Sequence, residues 1–321
     1  MGHEPRDSLS RERIREDFPW VDTEGKEMII GSDIDAIMSA AFLSEYLDWE
    51  PIGFYTDFEN LYTKPGVSTD DVVNAVWVDL DIYHPDIPSI GHHILNFRLN
   101  DEIPGHDNSL NPNLLRGMYH GNFQRKYPLG TIHFLTWLYE VPETTTETQQ
   151  LLYWVPDSTW INGQSHRFRE NVRDWLFNCI PTDFLTESFD WTDEAEFEEA
   201  LERQIYPRIE DSGFSRGRGQ VTSRHRNLGG YQCTFVNPNK LRNELQSLVE
   251  LIAEIMNWEP FTIPQEMTVT SGERTSNYSY SKVLEDYDGI DEFLTTNDIF
   301  SYAIPNRNTL NYTTGIDLES I

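Results

Sequence analysis

The chain has few cysteines, few lysines and no long apolar run. Its 321 residues include two cysteines, Cys179 and Cys233, which lie far apart and in no metal-like spacing. This pattern argues against a disulfide framework and a thiolate zinc site, and it predicts two ordinary thiols. No stretch approaches the roughly 18 apolar residues that span a bilayer, and the charged N-terminus lacks an apolar signal core. We therefore expect a cytoplasmic protein with no membrane partner.

Positive charge is also scarce, because 24 lysines and arginines face 54 aspartates and glutamates, for a formal net charge of −30. Such a surface repels a long polyanion at ordinary salt, which argues against a nuclease. The objection weakens in molar salt, where the Debye length falls to about 3 Å. Only five of the basic residues are lysines. From this acidic, lysine-poor composition we infer a halophilic source, a hypothesis that fails if fold and activity are the same at low and molar salt.

The order of apolar and polar segments predicts an α/β fold with a mostly parallel sheet. Residues 27–32 form a short apolar run typical of a buried strand, and apolar residues at helical spacing follow as far as Trp49. We predict further strands at residues 51–56, 72–82 and 93–97, and helices at residues 130–139, 148–155, 167–177, 191–206 and 239–258. Strands that alternate with helices place ligands at the carboxyl ends of the strands.

The length of the chain is that of about two domains, and its composition indicates where they meet. Residues 208–220 are rich in glycine, serine and arginine, as in a linker or hinge. We therefore predict four parts: an N-terminal extension (1–25), a catalytic domain (26–207), a linker (208–222) and a smaller α/β C-terminal domain (223–321). A long loop at residues 100–127 is dense in Asn, Pro, Gly and His, and loops of that length are often functional.

Acidic residues follow the first predicted strand, at the point where it gives way to a helix. Asp33 and Asp35 are two residues apart there, and two carboxylates at a strand end can converge on one hard cation. On this segment alone a simpler interpretation is favoured, in which Asp35 is a helix N-cap and Asp33 a turn residue. The functional interpretation therefore depends on what accompanies the pair.

Further candidate ligands follow along the chain. Asp79 and Asp81 end the third predicted strand, and His92 and His93 precede the fourth. A neutral imidazole is a good ligand for manganese-like ions, and an adjacent histidine can face a substrate phosphate. Adjacent histidines alone are weak evidence, because they point to opposite faces of a strand. The order of the motifs is more informative than any one of them.

In this order the motifs resemble those of the DHH phosphoesterase family, and within it the RecJ-like exonucleases. The segment Asp33–Ala36 is similar to the family's first motif, and Asp79 to its second. His92 and His93 resemble the two histidines that name the family, and Asp157 resembles its fourth aspartate. Other similar segments are Leu110–Pro112, Tyr127–Gly130 and Asn162-Gly163 with Arg167. The resemblance covers about residues 28–178.

The resemblance implies an active site between the two domains that binds two divalent ions, Mn²⁺ or Mg²⁺, and activates a water molecule to hydrolyse a phosphodiester. The implied metal ligands are Asp33, Asp35, Asp79, His92 and Asp157. Asp35 and His93 would be the catalytic residues, and His93 would contact the scissile phosphate or protonate the leaving oxygen. The implied substrate is single-stranded DNA or a short oligonucleotide, and a protein partner would belong to replication or repair.

Two glycines depart from the family's pattern. Gly31 stands where RecJ-like sequences carry an acid, and Gly91 replaces the aspartate of the name-giving motif. A missing ligand or supporting group would lower affinity or activity by about 10- to 100-fold. The alternative is a catalytically decayed protein that binds nucleotides or partners. Among enzymes, a cyclic-dinucleotide phosphodiesterase fits the net charge better than a nuclease acting on long chains, and a pyrophosphatase is a third option.

The C-terminal half carries a basic cluster that is unusual in so acidic a chain. Planar guanidinium groups bind phosphate in a bidentate manner, which makes these arginines candidate substrate-binding residues. They are Arg216, Arg218, Arg224 and Arg226, with Arg274 as a separate candidate. The alternative is a surface loop whose arginines pair with nearby acids. The predicted acidic helix at residues 191–206 is interpreted as a solvated surface rather than a metal site.

Overall fold

The computed structural model describes residues 8–56, 58–99, 101–141, 146–164, 168–214, 221–230 and 241–318. The strands in these ranges are β1 (Glu27–Ile30), β2 (Glu50–Thr56), β3 (Asn60–Thr63), β4 (Val76–Val78), β5 (Ser89–Ile90), β6 (Ser109–Leu110), β7 (Thr268–Ser271), β8 (Glu273–Ser279), β9 (Ile299–Asn306) and β10 (Thr309–Thr314). They form two sheets of unequal size.

The larger sheet has seven strands in the order β6-β5-β4-β1-β2-β3-β7. The strands from β6 to β2 are parallel, and β3 and β7 are antiparallel additions at one edge. Met28, Ile29 and Ile30 of the central strand β1 are fully buried, as expected of a parallel strand covered on both faces. The predicted α/β architecture with a mostly parallel sheet is confirmed.

The smaller sheet is antiparallel, in the order β8-β10-β9, and its strand β9 lies against the larger sheet's carboxyl edge. Ser301 pairs with Ile82, just beyond β4. Farther along β9, the Ile304 amide donates to the His93 carbonyl at 3.0 Å. The C-terminal sheet is thereby hydrogen-bonded to the segment that carries the candidate site.

Helices surround the larger sheet. The described helices are α1 (Arg11–Asp17), α2 (Ile34–Leu47), α3 (Thr69–Asn74), α4 (Pro112–Arg116), α5 (Thr131–Tyr139), α6 (Glu147–Tyr153), α7 (Thr159–Gly163), α8 (Arg169–Asp174), α9 (Asp183–Ser188), α10 (Ala195–Gln204), α11 (Tyr206–Asp211), α12 (Leu241–Met256), α13 (Tyr280–Asp286) and α14 (Ile290–Thr296). None of these helices combines the length and apolar character needed to cross a bilayer. Cys179 is buried, and Cys233 lies outside the described residues.

Two predicted strands are wrong in their extent. The prediction of a strand at residues 72–82 fails at its start, because Val72 belongs to helix α3 and only residues 76–78 form β4. Ser68 and Asp71 form a capping box that starts this helix. The predicted strand at residues 93–97 is also wrong, since the pairing is made earlier by the short β5, and His93 follows it in irregular backbone.

Part of the predicted C-terminal domain packs on the larger sheet and its helices. Strand β7 pairs with β3, and helix α12 lies against α2. The Trp258 ring beyond α12 meets Phe42 edge-on, with ring centroids 6.0 Å apart. At the predicted linker, residues 208–211 belong to helix α11 and residues 215–220 lie outside the described ranges. The division into domains remains a prediction.

Candidate metal centre

The first two carboxylates lie where β1 gives way to α2, and their local roles are the reverse of the simpler expectation. Asp33 is the N-cap, and its Oδ1 accepts a hydrogen bond from the Ala36 amide at 3.0 Å. Asp35 sits in the first turn of α2, where it is fully buried. The prediction that Asp35 caps the helix is therefore wrong. Capping by Asp33 leaves the Asp35 side chain free to face another element.

Asp35 faces the N-terminus of helix α5. Its two carboxylate oxygens accept from the Thr131 amide at 2.6 Å and the Ile132 amide at 3.1 Å. These amides are donors that a helix leaves unpaired at its start, and the helix dipole there favours an anion. A Cβ on Gly130 would lie 2.7 Å from the Asp35 carboxylate, so the close approach requires glycine at that position.

The other two aspartates have left-handed backbone conformations. Asp79, directly after β4, has φ of 59°, and Asp157 has φ of 50°. The next residue, Ser158, is also left-handed, with φ of 53°. Aspartate tolerates this region better than most residues, but each such position costs about 1 to 2 kcal/mol. Backbone strain of this kind is concentrated at functional sites in proteins.

His92 joins these aspartates into one cluster. Its Nε2 lies 2.5 Å from Asp157 Oδ2, and its Nδ1 lies 3.4 Å from Asp79 Oδ1. The Thr131 hydroxyl donates to Asp79 Oδ1 at 2.8 Å and contacts His92 Nδ1 at 2.9 Å. Asp35 Oδ2 is 4.0 Å from His92 Nδ1. One buried imidazole therefore contacts carboxylates that come from three different parts of the chain.

His93 completes the cluster on its more open side. Its Nε2 lies 3.8 Å from Asp79 Oδ1, and its side chain is 30% exposed against 3% for His92. Two groups have ligand atoms that all lie within 4.8 Å of one another: Asp79 with His92 and His93, and Asp35 with His92 and Asp157. Both groups share His92. The structure thus brings together most of the side chains that the sequence predicted as ligands.

The acids and the imidazole of this cluster have shifted pKa values. Burial and the neighbouring carboxylates raise the pKa of both Asp33 and Asp79 to about 7. Burial and Asp79 likewise raise the pKa of Asp35 well above its ordinary value. Burial alone would lower the pKa of His92, but Asp157 and Asp79 raise it well above the usual range. Asp157 is the exception, because His92 holds its pKa well below the usual value although burial opposes this. Burial, together with repulsion between carboxylates, favours the protonated forms of Asp33, Asp35 and Asp79, and a bound cation would offset both effects.

The donor set fits a hard or borderline divalent cation. Carboxylate oxygens and imidazole nitrogens are the atoms that the two groups offer, and neither group contains a thiolate. Mn²⁺ accepts both donor types, and Mg²⁺ prefers the oxygens. A site able to bind a metal ion is therefore supported by its chemistry, while the identity of the ion remains a prediction.

Two residues near the site were missed by the sequence interpretation. Thr131 bridges Asp79 and His92 through its hydroxyl, as described above. Lys126 Nζ donates to the carbonyls of His93 at 3.0 Å and Ile304 at 2.9 Å, and burial lowers its pKa to about 8. The sequence offered one indication of this role: Lys126 is one of only five lysines, and it directly precedes Tyr127-Pro128, a segment similar to one in the family.

The predicted substrate-binding arginines do not lie in this cluster as far as the structure describes them. Arg224 pairs with Asp193 at 3.2 Å, and Arg226 pairs with Glu199 at 3.2 Å. Arg274 Nε donates to Ser276 Oγ at 2.9 Å. Arg167, Arg216 and Arg218 lie outside the described residues. The ion pairs match the alternative of a salt-bridged surface loop, and a phosphate-binding role for these arginines remains a prediction.

Comparisons with known proteins assign no family: no protein-family model matches the chain, and neither a curated protein nor a solved structure matches it. The resemblance to DHH phosphoesterases therefore rests on the sequence motifs alone and remains a prediction.

Proposed function

We propose that the chain is a metal-dependent phosphoesterase that hydrolyses single-stranded DNA or short oligonucleotides. The observation that carries the proposal is one cluster of candidate ligands, in which two overlapping groups bring three aspartates to His92 and His93. Two-metal phosphoesterase sites hold their ions about 3.5 to 4 Å apart and act on the attacking and leaving oxygens of one phosphate. Ions at that spacing need a shared ligand, and a carboxylate of this cluster could supply one oxygen to each ion, whereas each imidazole nitrogen binds a single ion.

Most residues of the cluster would bind an ion, and the most exposed one would contact the phosphate. Asp79, His92 and His93 would hold one ion, and Asp35 and Asp157 would hold the other, with Asp33 at the same strand end. When bound, divalent ions lower the pKa of water and neutralise charge on a phosphoryl oxygen. His93 is the more exposed imidazole, so it is the ring that a phosphate can reach. Burial and the neighbouring His92 hold the pKa of His93 well below its usual value, which leaves a neutral ring with one N–H to donate.

Charge favours a short substrate over a long one. The net charge of −30 opposes a long polyanion, and Arg224 and Arg226 are paired with acids. A short oligonucleotide needs few phosphate contacts beyond the scissile one. Cyclic dinucleotides and pyrophosphate meet the same condition, so they belong in the same assay.

The test is a hydrolysis screen with Mn²⁺ or Mg²⁺ over single-stranded DNA, short RNA, cyclic dinucleotides and pyrophosphate, at low and molar salt. We expect the wild-type protein to cleave a phosphodiester, EDTA to stop the reaction and Mn²⁺ to restore it. Asp157→Asn should lose turnover. The matched control is Asp48→Asn, since Asp48 has the same left-handed backbone, with φ of 56°, at the exposed end of α2. A wild-type protein that binds oligonucleotides and metal but cleaves none of these substrates supports the decayed-site alternative instead.

A further inference from the structure

Asp81 is a buried carboxylate beside the candidate metal centre that neither ligand group includes. Its side chain is 4% exposed, and burial raises its pKa above the ordinary value. Asp81 Oδ1 accepts from Asn111 Nδ2 at 2.7 Å, and Oδ2 accepts from the His93 amide at 2.8 Å. Both of its oxygens are therefore engaged by donors, one of them the backbone amide that joins the two histidines.

The peptide group that joins His92 to His93 is held from both sides. Asp81 accepts from its N–H, and Asn113 Nδ2 donates to its carbonyl, on His92, at 2.8 Å. The next carbonyl, on His93, accepts from the Ile304 amide and from Lys126. Since adjacent side chains extend from the two ends of this peptide group, its orientation sets the direction of both imidazoles.

Gly91 supplies the space that Asp81 occupies. A Cβ at position 91 would lie 2.6 Å from Asp81 Cγ and Oδ1 and 2.7 Å from Oδ2. A Cβ atom essentially never approaches other atoms so closely, so a side chain at position 91 and the Asp81 carboxylate in its present position exclude each other. The glycine does not have a left-handed φ, so its backbone would accept another residue if the space were free.

We propose that Asp81 is the positioning residue for the His92–His93 pair, with its carboxylate filling the place that a side chain at position 91 would take. The carboxylate reaches the pair from the end of β4 instead of from the residue before it. This inference rests on the proposed function only in its effect on turnover. Its effects on metal affinity and on the His93 amide are independent of any substrate.

An exchange of the two positions tests the inference. Four variants are compared with wild type: Asp81→Ala, Gly91→Asp, Asp81→Ala/Gly91→Asp and the control Asp81→Ala/Gly91→Ala. The measurements are Mn²⁺ affinity by calorimetry, hydrogen exchange of the His93 amide and, where wild type is active, turnover. We expect each single variant to bind Mn²⁺ about 10- to 100-fold more weakly, the scale typical of groups that orient metal ligands. The His93 amide should exchange faster in Asp81→Ala.

The double variant with aspartate at position 91 should recover most of the lost affinity and amide protection, because it returns a carboxylate to the vacated space. The control with alanine at position 91 fills space without a carboxylate and should recover neither. A carboxylate double variant that binds Mn²⁺ no better than Asp81→Ala, or that does not fold, overturns the inference. If wild type cleaves no substrate, the proposed function fails, and affinity and amide exchange still decide the role of Asp81.

Discussion

Two acidic regions of this molecule place their buried carboxylates in different surroundings. On helix α10, Glu198 is fully buried, yet it accepts from the Ser223 hydroxyl, the Gln164 amide group and the Arg226 backbone amide. At the candidate metal centre, Asp35 is equally buried and also accepts from two backbone amides, but the neighbouring Asp79 and Asp157 raise its pKa further. A buried acid surrounded by donors is explained by the fold alone. A buried group of acids that raise one another's pKa is suited to binding a cation.

The largest expected effect is that of Asp79→Asn, which should remove turnover and most of the stabilisation by metal. Asparagine tolerates the left-handed backbone and preserves the shape, so this change mainly removes charge. We expect turnover to fall by at least about 100-fold, as for loss of a metal ligand's function. Wild type should gain about 2.7 kcal/mol in its free energy of unfolding at Mn²⁺ 100-fold above Kd, and the variant should gain much less. Denaturant unfolding with EDTA and with Mn²⁺ measures both. Equal gains in the two proteins would contradict the ligand role of Asp79.

Glu198→Gln should lower stability without changing the response of the protein to metal. The substitution removes a charge that several donors face, and the loss of charge-assisted hydrogen bonds in a buried place costs about 1 to 3 kcal/mol. We expect the free energy of unfolding to fall by that amount, while the stabilisation by Mn²⁺ stays as in wild type. The measurement is the same pair of unfolding curves. A variant as stable as wild type would show that the hydrogen bonds of Glu198 do not stabilise the fold.

His106 lies in neither acidic region and should make the stability of the protein depend on pH. It is buried against Tyr302, and burial lowers its pKa to about 3. An unfolded histidine titrates near 6.5, so below that pH the unfolded state binds the proton and the folded state does not. Stability should therefore fall as pH decreases from about 6.5 towards 3, by at most about 1.4 kcal/mol per pH unit for this residue. His106→Gln should flatten the profile between pH 7 and 5 in EDTA. An unchanged slope would assign the acid sensitivity to other groups.

The smallest expected effect is that of Arg226→Ala. Arg226 is 44% exposed and pairs with Glu199 and Glu202, and exposed pairs contribute about 0.2 to 1 kcal/mol. Because its charge is engaged, we expect oligonucleotide affinity and its salt dependence to stay within error of wild type. A weaker, less salt-dependent interaction would instead support the phosphate-binding prediction, since fewer counterions would be released. Titrations at several salt concentrations, with Arg13→Ala as a control for another exposed pair, decide between them.

The sequence was informative where chemistry follows directly from the order of elements. Acids after β1 and β4 had to meet, because the carboxyl ends of neighbouring parallel strands share one edge of the sheet. The roles of Asp33 and Asp35 were interchanged, since either residue can cap a helix and the choice depends on the partner that Asp35 finds on α5. The strand predicted from residue 72 ignored the capping box at Ser68, a local signal that was available.

Other features depend on contacts that no local pattern reports. Position 91 was interpreted as a loss, but the structure shows that Asp81 occupies the space beside it. That relation exists only once β4 and β5 are paired side by side. The acidic helix α10 was interpreted as a solvated surface, and Glu198 on it is buried because residues 223–226 cover it. The addition of β7 to the larger sheet is equally remote in sequence from the strand it joins.

Strands β7 and β9 lie late in the chain and pair with early segments, which should slow folding. Asn60 of β3 pairs with Ser271, and Ile82 pairs with Ser301, so each contact closes a loop of more than two hundred residues. The entropy cost of closing a loop grows with its length, and contacts of this range slow the search for the native state. The β1–α2–β2 unit can form from local contacts, whereas His93 gains its partner on β9 only after the chain has returned. In refolding experiments, tight Mn²⁺ binding should therefore develop in the slowest phase, after most of the helical signal has been recovered.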